Sequence, residues 1–419
     1  MKRLVIATLT FLLFGAPGLG RAQVNTERYL GAFETIWTKV SETFFDSSFG
    51  GVDWQDIHEA YKPQVGSAED DAAFYSLVNK MLWELKVSHA ALVPPGHFAS
   101  VEPVVFAPGG IGVQVRMLDG AVVITAVDPE SPGYEAGLRR GFIIQAIDSI
   151  PIARVEKEVK LDMPPYNDRG RVAQVTKGIM GRIYGTPETE VTIAYLDGGG
   201  QQQEKKITRA KRSGVALDPR GTLFMAVEFE AKRLDDGIGY IRLNTLQPQL
   251  VPQISGAVKS FGDISGLILD LRGNSGGEIE GMADLFLSEK TLLFHRKARE
   301  GKTEVFSEPS GDVYEGPLVV LIDVMSGSAS ELLAACLQAS KRAVVVGERS
   351  PGSVTESDAT VLPNGAVFLY PVAQPSTRDG TVLEGHGVIP DIEARLTRET
   401  LLQGVDFQLD AALKQLKEK

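Results

Sequence analysis

The chain has 419 residues, which is long enough for two or three domains. Its hydrophobic fraction of 43% and charged fraction of 23% are typical of soluble globular proteins. A formal net charge of −11, with no basic stripe along the chain, argues against a nucleic-acid or anionic-membrane surface, because phosphate binding relies on clustered Lys and Arg.

The first residues read as a targeting segment. Lys2-Arg3 precedes an apolar run from Leu4 to Phe14, and Gly20-Arg21-Ala22 is a small-x-small site. That pattern is a secretory signal peptide over residues 1–22, with cleavage expected after Ala22. The run is too short to span a bilayer, and no cysteine follows it to accept a lipid. Cys336 is the only cysteine, so an intramolecular disulfide is impossible, and its place on an apolar helix face makes it a small buried hydrophobe. Export without disulfides fits a periplasm or the cell exterior.

Residues 23–100 carry helical periodicity. Phe33, Ile36, Trp37 and Val40 share one face, and Ala73, Leu77, Met81 and Leu85 another, with turn residues and an aromatic plug at 49–54. This helical part runs out through Val87-Ser88-His89-Ala90 into Pro94-Pro95. Next comes Gly110-Ile111-Gly112-Val113, then the strand pattern 122–127, a short helix at Ser131–Leu138 closed by glycine, and a strand–turn–strand from Phe142 to Ile152. Residues 103–212 in this order resemble a PDZ domain of exported proteases. Such a domain takes a peptide as an added strand and holds its terminal carboxylate on the backbone N–H groups of a Gly-Φ-Gly-Φ loop, here Gly110, Ile111, Gly112 and Val113. Gly198–Gln203 reads as a hairpin tip.

From residue 213 onward strands and helices alternate, which implies a mainly parallel sheet with right-handed crossovers. Strands are expected at 238–243, 266–271, 318–322 and 343–347, with helices at 251–261, 281–287, from Ser328 onward, and at 405–416. The closing strand is expected to start at Val388. The stretch Lys302 to Tyr314 is expected to be a loop that shapes substrate pockets.

Two strand-to-helix loops carry the chemistry. Asp270-Leu271-Arg272-Gly273-Asn274-Ser275-Gly276-Gly277 lacks the Gly-Lys-Ser/Thr of a P-loop and the Rossmann glycine spacing, so a nucleotide site fits poorly. A glycine pair can instead aim a backbone N–H at a developing oxyanion. Ser328 stands where a helix begins, beside unpaired N–H groups and the positive end of the helix dipole, and its plain reading is an ordinary N-cap. Four motifs follow in order: Asp270–Gly277, Gly327-Ser328-Ala329-Ser330-Glu331, Gly347-Glu348-Arg349, and Glu384-Gly385-His386-Gly387 with Val388-Ile389-Pro390-Asp391. Together they resemble the tail-specific, or C-terminal processing, serine peptidases, related to the tricorn core. The resemblance covers nearly the whole chain after the signal peptide. It implies an α/β, crotonase-like catalytic core over 213–419, and an activity that needs neither metal nor cofactor. Ser328 would be the nucleophile, and the oxyanion hole would be Ala329 N–H with Gly276 or Gly277.

The base departs from the Ser–Lys pattern. Where those members carry Gly-Lys-Gly the chain has Pro351-Gly352-Ser353, and no lysine occurs between Arg349 and Glu384. Val87-Ser88-His89-Ala90 resembles the Ser-His pair of the tricorn branch, which makes His89 the base and Ser88 and Glu384 its outer partners, with their order of contact open. A lone histidine at the end of a helical domain is otherwise a surface or capping residue. His386 is the rival base because it neighbours Glu384; His58, His97 and His295 have no motif support. The implied activity is hydrolysis of unfolded or C-terminally exposed polypeptides, with a peptide- or hydrophobe-binding protein of the same fold as the alternative. Natural substrate, cleavage preference and oligomeric state are not legible.

Overall fold

The structure is a computed structural model that describes residues 17–97, 102–162, 167–216, 224–235, 237–309 and 311–418. Of the expected signal peptide, positions 1–16 lie outside the described residues, and 17–22 begin the first helix.

That helix, α1 (Pro17–Thr43), buries Tyr29, Phe33, Ile36 and Val40, whose spacing of three and four residues puts them on one face. It packs on α2 (Trp54–Gly66) and α3 (Asp71–Trp83). Asp53 caps α2 by accepting from Gln55 N–H at 3.0 Å and Asp56 N–H at 3.1 Å, and Asp70 caps α3 through Ala73 N–H at 2.8 Å. After α3 the chain turns at Lys86, which has a positive φ of 53°. It then joins the core as strand β1 (Ala91–Val93), antiparallel to a strand some 275 residues later, with Ala91 opposite Leu369 and Val93 opposite Val367. The Asn79 side chain clamps Leu92 from both sides, accepting from its N–H at 2.7 Å and donating to its carbonyl at 3.0 Å. This pairing fixes where residues 88 and 89 arrive.

The next segment is an antiparallel sheet in the order β2 (Val113–Leu118), β3 (Ala121–Val127), β4 (Ile143–Ile147), β5 (Glu190–Leu196), β6 (Gln202–Thr208). Two further helices, α4 (Ile152–Asp162) and α5 (Asp168–Ile183), lie between β4 and β5. Ile179, Met180 and Ile183 of α5 pack against Val113 and Val115 of β2 in one buried cluster. Gly112 has φ 70°, and a Cβ there would sit 2.1 Å from the Ser131 Cβ, so only glycine lets the loop pass under the short helix that starts at Pro132.

The core sheet runs in the order β7 (Phe229–Arg233), β8 (Ile238–Leu243), β9 (Gly266–Asp270), β12 (Leu318–Ile322), β13 (Val344–Gly347), β16 (Ile392–Glu393). Only the β7–β8 pair is antiparallel. Every residue of β9 and β12 is buried, as expected of strands covered on both faces. One face is covered by α6 (Val251–Ser260) and α7 (Ala329–Ala339), the other by α9 (Phe407–Lys417). A second sheet, absent from the sequence reading, is built on the long β15 (Val367–Ser376), which pairs with β1, with β14 (Glu356–Val361) and with β10 (Leu292–Ala298). β10 continues into the edge strand β11 (Gly301–Phe306).

Several expectations are corrected. The helix over 281–287 is a single 3-10 turn at Ala283–Leu285; Gly281 has φ 75° and Met282 through Leu287, Asp284 aside, is buried throughout, so no amphipathic face exists to continue it. The closing strand is reduced to Ile392–Glu393. The final helix starts at Phe407, where Asp406 accepts from Leu409 N–H at 3.1 Å, after a separate short helix, α8 (Arg398–Leu402), ended by Gly404 at φ 78°. The first half of the supposed loop at Lys302–Tyr314 is strand β11.

The antiparallel segment is fastened to the core in three places. Arg116 of β2 pairs with buried Asp323 at 2.6 Å. Leu401 of α8 packs on Leu118 and Val123. The start of α5 holds two core loops: Asn167 Nδ2 donates to the Pro351 and Gly385 carbonyls, and Arg169 to the Ser350 and His386 carbonyls.

Candidate active site

Parallel strands leave their carboxyl ends at one edge of the sheet, and the crevice outside them is where α/β sheets place ligands. The β9 and β12 ends carry the two loops singled out from sequence. After β12 the chain turns at Asp323, whose N–H donates to Ser326 Oγ at 2.8 Å, and Ser326 Oγ donates to the Leu271 carbonyl at 2.8 Å. The turn ends at Ser328, with φ 56° and ψ −126°. A non-glycine residue at positive φ is held there by its surroundings and marks functional turns. Here the Ser328 N–H donates to the Ser353 carbonyl at 2.8 Å and to the Glu331 carboxyl at 3.2 Å.

Glu331 is the fully buried residue three positions on, the acid of a Ser-x-x-Glu box. Its carboxyl also accepts from Ser350 Oγ at 2.6 Å, Gly352 N–H at 2.7 Å and Ser353 N–H at 2.8 Å. Burial pushes it up to about 7, against the pull of those hydrogen bonds. A carboxyl raised on folding contributes stability below its unfolded value and loses it as pH rises through about 7. The group is therefore held for the shape of the site and not for stability at neutral pH.

The loop after β9 lies against this turn. A Cβ on Gly276 would stand 2.6 Å from the Ser328 Cβ and 3.0 Å from the Ala329 nitrogen. Of the two glycines left open by the sequence, Gly276 is unsuited as an oxyanion donor, because its N–H donates to Asn274 Oδ1 at 2.9 Å. Asn274 is locked in turn by Ser330 Oγ at 2.6 Å and by its own donation to the Leu243 carbonyl at 2.8 Å. The N–H groups of Gly277 and Ala329 donate to no atom among the described residues. Gly277 has φ 136°, and a Cβ there would meet the Leu246 carbonyl at 1.9 Å.

Ser88, His89 and Glu384 come together although 296 residues separate the first from the last. Glu384 Oε1 accepts from Ser88 N–H at 2.6 Å, and Oε2 accepts from Ser88 Oγ at 3.0 Å. Ser88 Oγ lies 2.8 Å from His89 Nδ1. Because the hydroxyl proton is given to Glu384, the Nδ1 contact makes that ring nitrogen the donor and leaves Nε2 with a lone pair. Thus the order is histidine, serine, glutamate, the point that the sequence left open. Burial lowers the His89 pKa below 6.5, while Glu384 pulls the other way.

One short segment joins this group to Ser328. The Ser353 carbonyl takes the Ser328 N–H, and the next two N–H groups, Val354 and Thr355, donate to Glu384 Oε2 at 2.8 and 2.9 Å. Thr355 N–H also reaches Ser88 Oγ at 3.3 Å. No hydrogen bond joins His89 to Ser328 directly in this structure. His386 is exposed and its ring turns back onto the Glu384 carbonyl at 2.9 Å, so it does not enter the group. His58 pairs with Glu34 at 3.0 Å on the N-terminal helices, and His295 faces Glu304 at 3.7 Å across the β10–β11 hairpin. Gly110, Ile111, Gly112 and Val113 stand apart from the Ser88–His89–Glu384 group, at the edge of the antiparallel sheet.

Residues 237–394 match peptidase family S41, and residues 26–83 match the tricorn protease C1 domain. The carboxyl-terminal-processing protease of Synechocystis sp. is 27% identical over 390 residues, covering 90% of this chain and 84% of its own. Two solved structures share the fold. The photosystem II D1 C-terminal processing protease has a TM-score of 0.57 at 22% identity and covers 91% of this chain and 98% of its own. Mature CPAF has a TM-score of 0.64 at 13% identity, covering 94% and 98%. A serine-type peptidase is the class that this fold and these matches define. Residues 237–394 thus carry a peptidase family S41 domain, with a tricorn-type C1 region on its N-terminal side. Among the described residues no helix is long and apolar enough to cross a membrane.

Proposed function

We propose that the protein is an exported peptidase that cleaves unfolded or C-terminally exposed polypeptides through an acyl-enzyme on Ser328. His89 Nε2 takes the Ser328 hydroxyl proton as Oγ attacks the scissile carbonyl carbon, and the imidazolium then gives that proton to the leaving amine. In the second half His89 takes a proton from water, whose oxygen attacks the acyl carbon, and returns it to Ser328 Oγ. Nδ1–H stays on Ser88 Oγ throughout, and Ser88 O–H on Glu384, so the positive charge that forms on the ring faces a carboxylate one hydroxyl away. The Ala329 and Gly277 N–H groups receive the oxyanion. The observation that carries this reading is the His89–Ser88–Glu384 order, which leaves a basic nitrogen on the ring. The missing His89–Ser328 bond fits an unliganded site, since such bonds tighten when substrate is present.

The signal peptide at 1–22, helical part at 23–100, PDZ-like domain at 103–212 and catalytic part at 213–419 complete the proposal. Gly110, Ile111, Gly112 and Val113 of the PDZ-like domain would receive a substrate tail. A fluorophosphonate probe should label the wild type at Ser328, with labelling lost in Ser328→Ala and strongly slowed in His89→Ala. Labelling that persists at wild-type rate in His89→Ala rejects the base.

The depressed His89 pKa gives a pH profile with a defined sign. The base is active when neutral, so kcat/KM should fall with pH as protons fill Nε2 and reach its half-value only below pH 6.5. A profile already half lost above pH 6.5 would contradict this assignment.

A further inference from the structure

Between the antiparallel segment and the core sheet lies a chamber of about 690 Å³. Gly110, Gly112 and Val113 form part of one wall, and Arg242, Gly273 and Met325 part of the other. Neither Ser328 nor His89 lines the chamber; it abuts the Ser328 turn through Met325 and the glycine loop after β9 through Gly273. Its volume is within the range of pockets that take small ligands, enough for a short peptide tail.

Arg242 sits at the carboxyl end of β8, half-buried, at the crevice side of the parallel sheet. A guanidinium has five N–H donors. One of them meets the neutral Gln114 Oε1 at 2.5 Å, and no carboxylate lies within ion-pair distance of Arg242 among the described residues. The other arginines of the chamber are spoken for: Arg116 by Asp323, Arg212 by Glu228, and Arg272 by Asp270 and Asp406. Of the acids on the same walls, Glu228 is held by Arg212 and Glu230 by Lys232 at 2.7 Å, while Asp128 and Glu130 are exposed to solvent. What remains is the Arg242 fork, bonded to one neutral oxygen, in a chamber whose lining also includes Gly110, Gly112 and Val113; exposed Lys211 adds a second cation to that lining.

We infer that Arg242 anchors the free C-terminal carboxylate of a polypeptide substrate, as a specificity-determining residue supplied by the core and not by the PDZ-like domain. This rests on the proposed peptidase reading and names what the chamber selects. A guanidinium and a carboxylate meet through parallel N–H···O bonds that an amide cannot reproduce. The Gly110–Val113 loop closes on the tail from the opposite side, and Gln114 fixes the fork without neutralising it.

The test uses the full chain carrying Ser328→Ala, so that binding is read without turnover. Two fluorescent peptides of the same apolar-tailed sequence are compared by anisotropy, one with a free carboxylate and one with a C-terminal amide. The acid should bind about 10- to 100-fold more tightly, the worth of a charge-assisted bond in a partly dry site. Adding Arg242→Gln should bring the acid down to the level of the amide and leave the amide unchanged. Gln114→Glu, which supplies the fork with its own carboxylate, should also erase the preference, and it decides the matter if Arg242→Gln does not fold. Equal binding of acid and amide in the parent, or a preference that survives both substitutions, overturns the inference. Fluorophosphonate labelling of the wild type involves no peptide tail, so a failed peptidase reading is seen separately.

Discussion

Replacing His89 by alanine should lower kcat for peptide hydrolysis by about 10⁴- to 10⁶-fold, and adding Ser328→Ala to that variant should cost less than about tenfold more. The reason is that nucleophile and base perform one step: a hydroxyl with no acceptor for its proton is nearly as inert as no hydroxyl. The residual rate in both variants then comes from binding and from the oxyanion donors, which neither of them disturbs. Steady-state kinetics on one peptide, with active protein counted by folding and not by probe, give the comparison. Losses that multiply in the double variant would mean that the two side chains act in separate steps, and the site drawn above would be wrong.

Glu384→Gln is expected to be nearly as severe for activity, about 10³- to 10⁴-fold, in a protein that still folds. Oε2 accepts from Ser88 Oγ, Val354 N–H and Thr355 N–H, and Oε1 accepts from Ser88 N–H. An amide has the shape of the carboxylate but must turn an NH₂ toward donors at one of these positions. The NH₂ meets the fewest donors at the Oε1 position, where it opposes the Ser88 N–H and pushes the Ser88-His89 backbone away, while the amide oxygen at Oε2 keeps the other three donors. The negative charge that would stabilise an imidazolium is then gone, and the ring is displaced from its seat. Stability should drop as well, by about 1–3 kcal/mol for buried donors left without a partner. Urea denaturation beside the kinetics separates the two effects; a variant with wild-type kcat would remove Glu384 from the mechanism.

The local chemistry of the two loops was readable because glycine, serine and strand residues declare themselves. Leu318–Ile322 is continuous and branched, so the strand was legible to the residue, and Ser328 follows at the helix start. The gathering of Ser88, His89 and Glu384 had only a borrowed basis in the sequence, since nothing local says that a strand of three residues at 91–93 will pair with one at 367–369. The second sheet stayed hidden for the same reason: β14 is exposed on most positions and β15 is interrupted by two prolines, so neither gives a clean alternation. Choosing Gly277 over Gly276 depended on the Asn274 side chain, a hydrogen-bond partner two residues away that spacing does not reveal. Glu331 is legible in the sequence only as the end of the Gly327–Glu331 motif; its four donors come from Ser328 itself and from a segment twenty residues on, which only the folded chain displays. Arg242 looked like one polar residue in an otherwise apolar strand.

The Arg116–Asp323 pair has a reach beyond its two residues. Asp323 Oδ1 also accepts from Gly273 N–H at 3.0 Å and from Met325 N–H at 2.9 Å, so one carboxylate, 2% exposed, ties the glycine loop and the Ser328 turn to strand β2 of the antiparallel segment. Taking away its guanidinium partner would strand a negative charge in a dry place, the costly half of breaking a buried pair. The stretch that matches the peptidase family is therefore not a free-standing unit with an accessory bolted on. Excising the middle of the chain would remove a counter-ion from the turn that carries Ser328, and any swing of that middle part must either drag the loops with it or first give Asp323 another cation.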